Sequence, residues 1–467
     1  MIFFFRLFVL ITGIFLTAII AGNVTRAEDN IRIGVLAAMT GPYAEYGLEA
    51  KRGAELALAE FDGHVSGKNI ELIFETDDGA PARVAARAQA LISEHGAQII
   101  IGPLSGGEGP VLKNFAKSAP AITFLNGASA ARDLTLLDPA PNFFRFTTDA
   151  AQWMAGLGRY SYIDKGYRRV VTLGENFSFP YTQVMGFLVE FCNLGGSVAE
   201  QFWLPLSDKP YAAITAQIMN VEADAIFIAL DGSNTANFLE QYWKDGGQLP
   251  IIGGSVTFDP VLLSSNSLYH TYLPGAISAS PLADGDQARG WLSFVAAYQD
   301  RYPSGARIPS IFAVDYYVNT KAALLALEDA DSDLTDGQTA LRQALAELSF
   351  DTPTGRVSLD ENRHAVANNY VIEVVLGEDK RLRNEVAYVA TRVDQTLGMG
   401  RERYLALFSS WRFGASVPSR LSVGDHCVDY ETYWRVDPET GVRDTGEILV
   451  RYTERDGLIG TVQFLGD

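Results

Sequence analysis

Short apolar runs alternate with helical stretches from Ile31 onward, and this alternation constrains the fold more than any other feature of the chain. Ile31 to Ala37 is a short apolar run ended by Thr40-Gly41-Pro42, and Ala44 to Phe61 then reads as a helix with Leu48, Leu56, Leu58 and Phe61 among its apolar positions. Ile70 to Thr76 predicts the next strand, Pro81 to His95 the next helix, and Ala97 to Ile101 and Ala121 to Leu125 a third and fourth strand. Continuous apolar runs of this length suit strands buried on both faces. Strands separated by helices imply right-handed crossovers and a mostly parallel sheet.

The pattern then restarts. Asn142 to Thr147 is extended and leads into a helix over Ala150 to Ile163; strands follow at Arg169–Leu173, Val198–Trp203, Ala225–Leu230 and Pro250–Gly253. Between them, Tyr181–Leu194, Tyr211–Val221 and Asn234–Lys244 read as helices. With 467 residues the chain is too long for one ordinary domain, and the two α/β blocks predict two doubly wound lobes. A later extended piece, Gly275–Ala279, precedes three helices, Gln287–Tyr302, Pro309–Leu327 and Gly337–Leu348, and the extended pieces Gly355–Leu359 and Asn369–Val375. A first block of four strands needs further helices to cover it, so these helices are expected to return to it, making a multi-crossover hinge. The expected organisation is a leader over 1–27, lobe one over 28–147 and 278–360, lobe two over 148–277 and 361–397, and a β-rich C-terminal extension over 398–467. Within that extension Arg401 to Trp411 reads as a helix, a Pro/Ser/Gly-rich stretch follows, and Tyr430–Val436, Glu447–Thr453 and Leu458–Phe464 read as strands. Asp456-Gly457 is a hairpin signal between the last two.

The first residues argue for export. Apart from Arg6, the stretch from Ile2 to Gly22 is apolar, and Thr25-Arg26-Ala27 supplies a small-x-small cleavage site. The run is long enough to span a bilayer, so an uncleaved N-terminal anchor is the alternative. Cys192 and Cys427 are the only cysteines; an oxidising compartment permits a bridge between them, but their spacing leaves it open. The formal charge of -19 opposes binding to phosphate backbones, which excludes a nucleic-acid partner.

In parallel α/β lobes ligands meet the loops at the carboxyl ends of the strands, beside helix N-termini. In the first block these are Ala38 to Gly47, Ser105-Gly106-Gly107-Glu108-Gly109-Pro110 and Asn126-Gly127-Ala128-Ser129-Ala130, small and rich in backbone N–H groups and hydroxyls that suit a carboxylate or carbonyl. In the second they are Glu175 to Tyr181, Asp231-Gly232-Ser233-Asn234 and Gly254 to Phe258, where aromatic and polar residues alternate. Catalytic constellations are not evident. Gly63 to Asn69 lacks the spacing and hydroxyl of a phosphate loop, and Gly127 to Ala131 lacks the second glycine of a nucleophile elbow. His64, His95, His270, His364 and His426 are dispersed, with no pair at metal-ligand spacing. No enzyme activity, cofactor or metal is expected.

Five segments carry a family resemblance: Ile31–Gly47 with Thr40-Gly41-Pro42 and Tyr46-Gly47, Thr76-Asp77-Asp78, Ile101-Gly102-Pro103-Leu104-Ser105, Arg145-Phe146-Thr147-Thr148, and Thr354 to Asp360. Their order and spacing resemble the type I periplasmic solute-binding proteins of the leucine/isoleucine/valine-binding kind over about residues 31–400. The resemblance implies two lobes with three hinge crossovers that close around a solute and deliver it to a membrane permease of an ATP-driven importer. A ligand-sensing subunit acting on a membrane receptor or kinase is the alternative. The strand-end loops and the resemblance together place a ligand against Tyr46, Ser105, Gly106, Ala128 and Ser129 in lobe one, and Phe177, Tyr181, Asp231 and Ser255 in lobe two. Members that bind free amino acids often carry an acidic residue after the last lobe-two strand; Gly253-Gly254-Ser255 has none, which leaves Asp231 or Glu175 as substitutes. An amide or an organic or aromatic acid is then as acceptable a solute as an amino acid.

Overall fold

The computed structural model describes residues 30–395, apart from 177, 206–208, 231, 259–261, 264–267, 306 and 379, together with 412–423, 426–436, 443–455 and 458–465. The expected leader and the helix expected over 401–411 lie outside the described residues. The chain divides into two compact units, Met1–Thr148 with Gln287–Ala367 and Asp149–Asp286 with Asn368–Asp467, so it passes from one to the other three times.

In unit 1 the strands are β1 (Asn30–Leu36), β2 (His64–Val65), β3 (Lys68–Glu75), β4 (Ile99–Ile101), β5 (Thr123–Leu125) and β6 (Phe143–Phe144), in the order β2-β3-β1-β4-β5-β6. All neighbours pair in parallel except the β2–β3 hairpin. The crossovers carry α1 (Ala44–Ala59), α2 (Pro81–Ser93) and α3 (Gly109–Ser118). Ile99, Ile100 and Ile101 are all fully buried, as a strand covered on both faces requires. On one face Val84, Ala88 and Leu91 of α2 and Leu112 and Ala116 of α3 pack with Leu36, Ile100, Phe124 and Phe143 of the strands.

Unit 2 repeats the plan. Its strands β7 (Arg169–Glu175), β8 (Ser197–Leu204), β9 (Ala225–Ala229), β10 (Ile251–Gly253) and β11 (Ile277–Ser280) run in parallel in the order β8-β7-β9-β10-β11. Its helices are α4 (Leu157–Ile163), α5 (Ser178–Asn193), α6 (Tyr211–Ile218) and α7 (Gly232–Lys244). The single helix expected over Ala150 to Ile163 is broken. A short 3-10 turn, Gln152–Met154, precedes Gly156 at φ 86°, and α4 begins after it; a left-handed residue cannot continue a right-handed helix.

Because β11 pairs with β10, the second passage comes after Asp286, later in the chain than sequence reading placed it. The chain then supplies unit 1 with α8 (Arg289–Arg301), α9 (Ile311–Asp329) and α10 (Thr339–Glu347), followed by the hairpin β12 (Ser349–Thr352) and β13 (Gly355–Leu359). α9 is buried on most of its circumference, including Asp315, Asn319 and Thr320, the pattern of a helix enclosed by protein. It lies close enough to α1 that a Cβ on Gly53 would collide with the Ala313 carbonyl.

β14 (Ala365–Leu376) begins beside β13 in unit 1 and continues into unit 2, where it pairs antiparallel with β11 and also pairs with β15 (Leu382–Val393). Both ends of this passage are tied to the first one. In unit 1 the buried Arg145 donates to Ala131 O at 2.6 Å and Thr148 O at 2.9 Å, and its backbone bridges to His364. In unit 2 Asn369 donates to Trp153 O and Ala155 O at 2.9 Å each, and Gln395 donates to Asp149 at 3.0 Å.

The C-terminal strands β16 (Arg412–Val423), β17 (His426–Val436), β18 (Arg443–Arg455) and β19 (Leu458–Leu465) form a four-stranded antiparallel sheet in chain order. The stretch read as Pro/Ser/Gly-rich is therefore an edge strand. Its register shifts between Ser416 and Ser419, around Pro418, and an edge strand with a bulge is where a sheet accepts proline. Cys192 is a free, exposed thiol; the Cys427 side chain lies outside the described residues.

Gly53→Ala is expected to lower stability by about 2–3 kcal/mol, because two helix backbones would have to separate. Urea unfolding of the full chain measures it, and an unchanged midpoint would contradict the close α1–α9 crossing.

Candidate functional site

The strand order marks one place in each sheet. β1 lies between β3 and β4, and β7 lies between β8 and β9, so the crossovers that follow β1 and β4, and those that follow β7 and β9, run in opposite directions along the sheet. Loops part at such a switch point, and the crevice they leave outside the strand carboxyl ends is where α/β sheets bind ligands.

In unit 1 the loops after β1, β3 and β4 meet there, and side chains of the β3 loop stitch them together. Met39 N donates to Thr76 Oγ1 at 3.1 Å, and the Thr40 hydroxyl donates to Asp78, which also pairs with Arg83. These bonds hold Asp78 below its ordinary pKa, the Thr40 hydroxyl foremost. Beneath them lie two fully buried carboxyls, Asp77 and Glu108. Gly79 N donates to Asp77 Oδ1 at 3.1 Å and Ser105 N to Glu108 Oε2 at 3.0 Å. Among the described residues no donor reaches Asp77 Oδ2 or Glu108 Oε1, and the two carboxyls are near enough to act on each other. Two buried carboxyls at close quarters are stabilised by holding one proton between them. Burial, then the Asp77 charge, pushes Glu108 up to about 7, and burial raises Asp77 as well.

The residues expected to bind in unit 1 are brought to this end of the sheet but differ in what they offer. Tyr46 is exposed on the first turn of α1 and stacks on Phe312, with ring centroids 4.5 Å apart. Ser105 is half-buried, with its hydroxyl donating to Gly79 O at 3.4 Å. A Cβ on Gly106 would meet nothing within 4 Å, so the tip of that loop is open. The loop after β5 is buried: Ala128 N donates to Pro103 O at 3.0 Å, and Asn126 Nδ2 donates to Ser129 O at 3.1 Å. Ser129 is fully buried, its hydroxyl lying against the backbone of Gly109.

In unit 2 the buried Glu175 ends β7. It pairs with Lys209 at 3.0 Å and accepts from Asn234 Nδ2 at 2.9 Å, while Tyr211 donates to Asn234 Oδ1 at 2.9 Å. Glu175 therefore already has a matched cation. Tyr181 is exposed on the first turn of α5, bonded to Asn176 and edge-on to Trp203 at 4.5 Å. Ser255 is half-buried and held by the buried Gln183, whose amide donates to its hydroxyl and accepts from its backbone N–H. Phe177 and Asp231 lie outside the described residues. Sequence reading missed Glu108, Gln183 and Lys209, since their partners come from distant loops. Among the described residues no group of three or more His, Cys, Asp or Glu side chains could hold a metal ion.

A carboxyl ordinarily loses its proton near about 4.3. The folded chain binds the Glu108 proton more tightly than the unfolded chain does. The contribution of Glu108 to stability is therefore fully present below the unfolded value, falls as pH rises to about 7, and levels beyond. The decline attributable to Glu108 is of order 3 kcal/mol. Urea midpoints across that range for the wild type and Glu108→Gln measure it, and equal declines in both would contradict the shared proton.

Comparison with known proteins agrees with this architecture. The chain is 24% identical over 372 residues to Leu/Ile/Val-binding protein homolog 6 of Brucella melitensis, covering 76% of this chain and 90% of that one. An ABC transporter substrate-binding protein from Sphaerobacter thermophilus superposes with a TM-score of 0.73 at 23% identity, covering 78% of this chain and 99% of that one. A solute-binding protein of an ABC transporter from Rhodopseudomonas palustris, solved in complex with 3,4-dihydroxybenzoic acid, gives 0.70 at 23% identity, covering 79% and 99%. The sequence pattern of the periplasmic binding proteins matches residues 30–380, and the chain belongs to that family.

Proposed function

We propose that this protein is the exported solute-binding component of an ATP-driven importer, taking a small carboxylic acid and passing it to a membrane permease. Family membership makes it a non-catalytic binding protein of the periplasm, and the structural relatives are named as components of ABC transporters. The observation that carries the reading is the pair of switch points, each lined by polar loops already held in place. In unit 1 the open backbone at Gly106 beside Ser105 suits a carboxylate. Tyr46 with Phe312, and Tyr181 with Trp203, offer exposed ring surface.

Aromatic and other organic acids rank ahead of free amino acids as the solute. An α-ammonium needs an available carboxylate, and Glu175, a candidate for that role, is matched by Lys209 and Asn234. The structural relative holding a dihydroxybenzoate and the sequence relative named for branched-chain amino acids define the panel to test. A bound solute at a hundred times its Kd stabilises the folded chain by about 2.7 kcal/mol. Thermal melting is expected to rise with benzoate or 3,4-dihydroxybenzoate more than with leucine or isoleucine. A rise with the amino acids alone would overturn the ranking, and no rise with any of them would overturn the carboxylate reading.

Export by the N-terminal leader is part of the same proposal. The apolar stretch before Ala27 supports it. The mature protein recovered from the producing cell is expected to begin at Glu28, and recovery of a membrane-bound form retaining residues 1–27 would favour the anchor instead.

A further inference from the structure

We propose that the Asp77–Glu108 carboxyl pair makes solute capture depend on a proton, the unit-1 loops gripping an anionic solute well only while the pair holds its shared hydrogen. This rests on the carboxylate-binding role proposed above and adds a control to that site.

The geometry carries the argument. Asp77 sits in the loop after β3, and Glu108 immediately precedes α3 in the loop after β4; both are fully buried. Each spends one oxygen on a backbone N–H of its own loop, Gly79 N and Ser105 N. The remaining oxygens, Asp77 Oδ2 and Glu108 Oε1, are buried and take no hydrogen bond from any described protein group. A proton carried by one carboxyl can satisfy both. The Ser105 hydroxyl adds a second tie between the same loops, at Gly79 O. The pair is thus tied to Ser105, the neighbour of Gly106, through the Ser105 N–H.

The groups facing the pair do not relieve the charge that would follow its loss. Tyr316 of α9 reaches both carboxyls electrostatically, but its hydroxyl donates to Leu36 O and burial keeps it protonated throughout. Asp315, its neighbour on α9, bears on Tyr316 and is countered by Arg145. Asp78 adds negative charge to Asp77, and the Arg83 and Arg87 guanidinium groups act on Asp78, with Arg87 also paired to Glu75. Loss of the proton therefore leaves two buried anions in contact. It loosens the tie between the β3 and β4 loops and sets extra negative charge under the place proposed for the solute's carboxylate. At an effective dielectric of about 20, one such charge roughly 10 Å away weakens anion binding by about tenfold.

Kd values for benzoate and for leucine, measured by calorimetry on the full chain at intervals between about pH 5.5 and 8.5, test this, since both carboxylates stay ionised across that window. The wild type is expected to bind about tenfold more weakly at the alkaline end, with proton uptake on binding near neutrality. Glu108→Gln, whose amide can keep both bonds without a proton to lose, is expected to show a flat profile. Asp77→Asn, which removes the neighbouring charge, moves the fall to a different pH and serves if Glu108→Gln does not fold. A flat wild-type profile, or the same slope in both variants, would overturn the proposal while leaving the transport function intact. Absence of binding by either probe at every pH would remove the carboxylate reading itself, and this inference with it.

Discussion

Parallel pairing of one central strand with two neighbours, β1 with β3 and β4, and β7 with β8 and β9, is the constraint on which the rest depends. A parallel pair must be joined by a crossover that returns along the sheet, and its hand is fixed by strand twist. Every loop that follows a strand therefore emerges at the same end. At the switch point two of those loops diverge, leaving backbone N–H groups and helix starts accessible without any special sequence. The cost is that such loops have few neighbours of their own and must be pinned. Thr76, Asp77 and Glu108 do this in unit 1, and Gln183, Asn234 and Lys209 in unit 2.

The passages between units are secured by the same means. Arg145 is fully buried, yet its guanidinium is occupied by carbonyls on either side of it in the chain. Arg145 N also donates to Arg363 O at 3.0 Å, so the strand leaving unit 1 first and the strand leaving it last are locked in register. Asn369 and Gln395 do the corresponding work in unit 2. Burying a charge in this way is tolerable only when its donors are matched.

Much of the fold was legible because the strands are covered on both faces and read as plain apolar runs; Ile99–Ile101 and Ala225–Ala229 are the clearest. Other elements were hidden by local chemistry. α3 opens with Gly109-Pro110, which reads as loop, although proline in the first turn is a helix start. β15 alternates buried Leu382 and Asn384 with exposed Arg383 and Glu385, a half-buried strand whose charges conceal it. The site was legible to the level of its loops and no further. Ser129 was read as a hydroxyl for the ligand, and its hydroxyl instead lies buried against Gly109. Glu108 stood in a glycine-rich loop with no role assigned to it, because nothing in its neighbourhood in sequence announces Asp77. Pairs of that kind exist only once β3 and β4 flank β1.

The account's central claim is that the strand-end loops at the unit-1 switch point take the carboxylate of a small organic acid. A structure of the full chain in complex with the tightest-binding member of the carboxylate panel tests it most directly. The claim predicts the solute's carboxylate on the Ser105–Gly106 backbone, with Tyr46 alongside. A solute bound away from the loops that follow β1, β3 and β4, or at the strands beyond residue 412, would contradict it.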